Sequence, residues 1–127
     1  EIEWSLLASR QLNDVLDFVA TEYGSITARK VFDKFDANVN SLLRNPNRGI
    51  LDSDLSDSQF TVRHLQLFPN VLYYVVKGDS IIISAVMHYK QSPQTVYKTV
   101  MRSLEGIDRA EGVFLLEKAH VKSTICG

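Results

Sequence analysis

The chain has 127 residues, a net charge of −1, one cysteine and 45% hydrophobic residues. This is the size of one domain, and it buries roughly two-thirds of its unfolded surface without a disulfide or a metal. A lone Cys126 excludes an internal disulfide framework and a cysteine-rich metal site, and no apolar run nears the ~18 residues of a membrane span. These features predict a soluble cytoplasmic protein with no cofactor, no bound metal and no membrane contact.

Ile2-Glu3-Trp4 alternates like a short strand. Ser9 is suited to cap a helix in which Leu12, Val15, Leu16, Val19 and Tyr23 recur at helical spacing. Gly24 can end it, and Ser25 or Thr27 can cap a second helix carrying Ala28, Val31, Phe32, Phe35, Val39, Leu42 and Leu43. Asn45-Pro46 stops that helix, because the residue before proline avoids the helical region. The pattern predicts a long αα-hairpin. Residues 47–58 read as a loop, 60–68 as a strand, and Pro69-Asn70 as a turn.

Residues 71–90 carry the clearest signal. Two β-rich runs flank Gly78-Asp79, a pair suited to a tight turn with positive φ at its first position. The turn sets Lys77 opposite Ser80, Val76 opposite Ile81, Tyr74 opposite Ile83 and Leu72 opposite Ala85. Leu72, Tyr74, Val76, Ile81, Ile83, Ala85 and Met87 then form a core face. Tyr73, His88 and Lys90 lie on the other face, and Tyr89 points toward the helices. From Gln94 on, Val96, Val100, Leu104 and Ile107 predict an amphipathic helix weakened by Gly106, and Val113–Leu116 is a short apolar run of either type. The expected fold is α+β. An antiparallel sheet, built from the short N-terminal strand and a three-stranded meander, is covered on one face by the helical hairpin, and an extra C-terminal helix follows.

The order of these elements resembles the RelE/ParE superfamily of toxin–antitoxin toxins over about residues 1–93. The residues that carry the resemblance are Trp4-Ser5, Ala8, Leu12, Val15 and Phe18. They continue through Ala28 and Phe32, Asn45-Pro46 and Gly49, and Arg63 with Leu65. Tyr73-Tyr74-Val75-Val76, Ile81-Ile82-Ile83, Val86, His88 and Pro93 complete the set. The helical hairpin, and a tyrosine strand followed by a strand ending in histidine, are more similar to ParE. The resemblance implies a bacterial toxin of plasmid stabilisation and stress response, silenced by a cognate antitoxin. ParE-like members bind DNA gyrase; RelE-like members cut mRNA on the ribosome. A non-toxic member serving as a binding partner is the third reading.

Cleavage by 2′-hydroxyl attack needs a proton acceptor, a proton donor and a cation for the phosphate. Arg63, His88, Lys90 and Tyr73 are the candidates for such a set, and these with Tyr89 are candidates for contact with antitoxin or target. Each also has a plain structural use: tyrosines favour strands, lysine suits strand ends, and Arg63 can pair with an acid of residues 52–57. Where the superfamily commonly has arginine just after the histidine, this chain has Lys90-Gln91, and lysine lacks the bidentate fork. Near-neutral charge also differs from the basic excess of proteins that grip nucleic acid. Residues 94–127 extend beyond the usual family end. Their amphipathic part can enter the chain's own groove, join a second copy in a homodimer, or pack on the core.

Overall fold

The computed structural model describes residues 1–109, with side chains through Gly106. Ile107 as a side chain, Val113–Leu116 and Cys126 lie outside the described residues. The order is β1 (Ile2–Trp4), α1 (Leu6–Tyr23), α2 (Ser25–Ser41), β2 (Ile50–Leu51), β3 (Val62–Leu67), β4 (Asn70–Lys77), β5 (Ser80–His88) and α3 (Pro93–Arg109). One five-stranded sheet runs β1-β5-β4-β3-β2. The meander β3-β4-β5 is antiparallel, and β1 lies parallel to β5, with Ile2 opposite Ile81 and Trp4 opposite Ile83. The expected α+β architecture stands, with the two-residue β2 added at the far edge.

The cap of α1 is Ser5 rather than Ser9. Its hydroxyl accepts from the Ala8 N–H at 3.0 Å, whereas Ser9 is buried inside the helix. Gly24 joins the two helices. Its φ of 94° suits glycine, and its N–H donates to the Ala20 carbonyl. The buried side chains of α1 and α2, among them Leu12, Leu16, Phe32, Phe35 and Val39, pack with Leu65, Leu72, Tyr74, Ile81 and Ile83 as one core.

The β4–β5 turn is the expected one: Gly78 has φ 61°, and Lys77 pairs with Ser80. Register holds to Tyr74 opposite Ile83 and then slips, because Tyr73 faces Ala85 and Leu72 faces Val86. Ser84 is the extra residue of a β-bulge. Its carbonyl accepts from Ser5 Oγ at 2.8 Å, and its own hydroxyl donates to the Tyr73 carbonyl at 3.1 Å. Beyond the bulge the faces exchange. Val86 joins the helical core, Ala85 and Met87 go to the opposite side, and Val76 is partly exposed at the turn.

That opposite side is a second core. Tyr73, Val75, Ile82, Ala85 and Met87 are buried with Leu55, Phe60 and Val62, beneath Val100 and Leu104 of α3. Ser92 caps α3 by accepting from the Thr95 N–H at 3.1 Å, and Pro93 takes the first helical position, where no N–H is needed. Gly106 lies within the helix and does not interrupt it. Of the three uses open to the extension, the described part takes the third, packing on its own sheet and mainly on β5. The segment leading to β3 is held by Asp57, whose carboxylate accepts from the Gln59 and Phe60 N–H groups at 2.8 Å each. Those bonds lower its pKa from the usual carboxylate value.

Candidate functional site

Two recesses meet at the His88 end of β5. The first is an apolar groove of about 720 Å³ between the helical hairpin and the β3–β4 turn. Val15, Phe18 and Val19 of α1 form one side and Val31 and Phe35 of α2 the other, with Phe68 and Pro69 at the turn. Phe18, Tyr23 and Phe68 are each more than half exposed there. These side chains leave apolar, aromatic surface in contact with water along the groove. The groove is framed by polar anchors. Lys34 Nζ donates to the Phe68 carbonyl at 3.1 Å. Gln11 Oε1 accepts from the Val86 N–H at 2.7 Å, just past the bulge, where the regular ladder is interrupted.

The second recess, about 570 Å³, lies on the opposite side of the sheet between β4, β5 and the start of α3. Tyr73, His88 and Tyr89 line it, with Asp52 and Asp54 on one side and Val96 and Tyr97 on the other. The bulge corrects the expected placement of this end of β5. His88 borders both recesses instead of only the outer face. Tyr89 lines the outer recess rather than pointing toward the helices, stacked at an angle with Phe68 and His88, each 4.9 Å away between ring centres. Lys90 lines neither recess; its ammonium lies 5.8 Å from the centre of the Tyr89 ring, and its N–H donates to His88 Nδ1 at 3.1 Å.

Arg63 stands apart from these residues. It pairs with Tyr74 in the β3–β4 register, and its guanidinium donates to the carbonyls of Gly49 at 2.9 Å and Asn47 at 3.4 Å. No acid of residues 52–57 holds it. Tyr74 completes the same knot: its hydroxyl donates to the Pro46 carbonyl at 2.6 Å and accepts from the Gly49 N–H at 2.9 Å. Burial raises the pKa of Tyr74, against the opposing pull of that N–H and of Arg63 and Arg48.

The acid that sequence reasoning passed over is Asp52, and its partner is His64. Asp52 Oδ2 lies 2.7 Å from His64 Nδ1, and the His64 ring is 5.8 Å from that of Tyr73, its neighbour across the ladder. Burial, and then the charge of Asp52, raise the pKa of Tyr73. Asp52 is brought there because Ile50 and Leu51 pair with His64 and Arg63, a bridge too short to show as periodicity. The recess thus brings together Tyr73, His88 and Tyr89, adds Asp52 with its partner His64 beside Tyr73, and leaves out Arg63 and Lys90. Among the described residues, no three His, Cys, Asp or Glu side chains come together as a metal site, and no helix is long and apolar enough to cross a membrane.

No curated protein sequence matches this chain. Among solved structures, it is similar to a chain of the chromosomal ParDE TA system from P. aeruginosa, with 20% sequence identity and a TM-score of 0.55. The match covers 69% of this chain and 94% of that one, so the likeness is one of fold. The profile of the ParE toxin of the type II toxin–antitoxin system parDE matches residues 2–93, from β1 to the first residue of α3. The exposed aromatic groove and the bulged β5 are therefore features of a chain that belongs to the ParE toxin family of type II toxin–antitoxin systems.

Proposed function

We propose that this toxin acts in the bacterial cytoplasm by binding DNA gyrase, and that a cognate antitoxin silences it. The observation that carries the binding reading is the dispersal of the candidate cations. Phosphodiester cleavage needs a positive group aimed at the phosphate beside the proton-transferring side chains. Here Arg63 is committed to the carbonyls of Gly49 and Asn47, and Lys90 lies over Tyr89. The aromatic groove between α1, α2 and Phe68 supports the antitoxin part, because an apolar trough beside two helices suits the apolar face of a partner helix. Residues 94–127 are then an extension added to a toxin domain of residues 1–93.

The test is a supercoiling assay with purified gyrase. Gyrase binding predicts that relaxed plasmid stays relaxed as the protein is added, and that an antitoxin encoded beside it restores activity. Undiminished supercoiling would overturn the reading.

One observation supports RNA cleavage as the second reading. Asp52 and His64 form a carboxylate–imidazole pair beside Tyr73, an arrangement that can orient a base. It predicts ribosome-dependent mRNA cleavage that His64→Ala abolishes. Activity in neither assay, with no growth arrest on expression, would leave the inert binding partner as the remaining reading.

A further inference from the structure

The outer recess is a composite. Its floor, Tyr73 and Tyr89, belongs to the sheet, whereas Val96 and Tyr97 of its far wall lie beyond the residues matched by the family profile. Tyr89 and Tyr97 are 48% and 50% exposed, which leaves ring surface available above the buried Tyr73. On the near side, Asp52 gives one oxygen to His64, and among the described residues its other oxygen has no partner and Asp54 has no hydrogen bond or ion pair. Lys98 is the one lysine or arginine on the described lining, and His88 completes the rim. Lys90, whose ammonium lies 5.8 Å from the centre of the Tyr89 ring, does not line the recess.

These groups select by chemistry. Two carboxylates repel a phosphate, and an aliphatic ligand would use the rings but leave the spare acceptor oxygens unused. A guanidinium uses both: its flat face stacks on a phenol ring, and its N–H fork matches a carboxylate. An ammonium supplies the charge but neither the plane nor the fork. We propose that the recess binds an arginine side chain presented by a partner polypeptide, stacked on the exposed ring of Tyr97 beside Tyr89 and paired with Asp54. The wall from α3 lies beyond the residues that the family profile matches, and the site does not depend on whether gyrase or mRNA is the target.

The test uses the full-length chain, isotopically labelled and followed by amide NMR. The probes are N-acetyl-arginine N-methylamide, its uncharged citrulline counterpart and the lysine counterpart. The expected result is saturable shifts at Asp54, Tyr73, Tyr89 and Tyr97 with the arginine probe, and binding about three- to tenfold weaker with citrulline. Asp54→Asn, an exposed change that leaves the fold intact, weakens the arginine probe to the level of citrulline. Tyr97→Leu weakens arginine more than lysine. Equal binding of arginine and citrulline, shifts mapping outside the recess, no saturable binding, or indifference to Asp54→Asn would each overturn the assignment.

Discussion

Ser5 and Ser84 are 79 residues apart and share one hydrogen bond, from the Ser5 hydroxyl to the Ser84 carbonyl at 2.8 Å. The same hydroxyl accepts from the Ala8 N–H, so a single oxygen begins α1 and holds the bulge in β5. Ser5→Ala removes both bonds inside a buried site and is expected to cost about 1–3 kcal/mol. Urea denaturation measures this. A midpoint unchanged from wild type would show that the bulge needs no such anchor.

The knot around Gly49 makes a second prediction. A Cβ there would lie 2.6 Å from the Tyr74 ring and hydroxyl and 2.9 Å from the His64 carbonyl. Backbone and a buried ring cannot both yield, so Gly49→Ala is expected to cost about 1–3 kcal/mol. Tyr74→Phe keeps the ring but leaves the Pro46 carbonyl and Gly49 N–H without their partner, a loss of about 1–3 kcal/mol. In combination the two changes should fall short of additivity, because they disrupt the same contact. A double-mutant cycle on thermal stability decides it.

The α3 layer is expected to behave as core. Leu104 is buried against the second face of the sheet, so Leu104→Ala is predicted to cost about 2–5 kcal/mol. Leu43, an exposed leucine after α2, is the control and should lose little when cut to alanine. Equal, small losses at both positions would mean that α3 contributes no packing energy.

High pH should weaken the fold through Tyr73 and Tyr74. Burial raises both folded-state pKa values, so the folded state keeps these protons while the unfolded chain gives them up. The stabilisation is therefore whole below the unfolded value of about 10 and is lost as pH rises through the folded values. Denaturation midpoints followed into alkali should fall more steeply for wild type than for Tyr73→Phe. Identical slopes would remove Tyr73 from the account.

Much of the fold was legible because its signals are local. Gly78-Asp79 fixed the hairpin, and helical spacing fixed the side of α1 and α2 that is buried. The bulge was hidden because Ala85, Val86 and Met87 are all apolar, so a slip of one residue leaves the alternation looking intact. That one residue decides where His88 and Tyr89 stand, which is why the candidate site was less legible than the fold. The second core had a signal in plain sight: Val71, Val75 and Ile82, which alternate with the residues of the helical core face, are too apolar for a wet surface. Asp52 and His64 meet only through β2, and two residues are too few for a period to register.

The parallel pairing of β1 with β5 has a consequence for synthesis. Ile2 finds its partner in Ile81, so β1 has no strand to pair with until β5 is made, about 80 residues later. A chain stopped before residue 80 holds the helical hairpin and the early meander but lacks the strand that borders both recesses. Partial translation products of this toxin are therefore expected to be unfinished folds with incomplete binding surfaces.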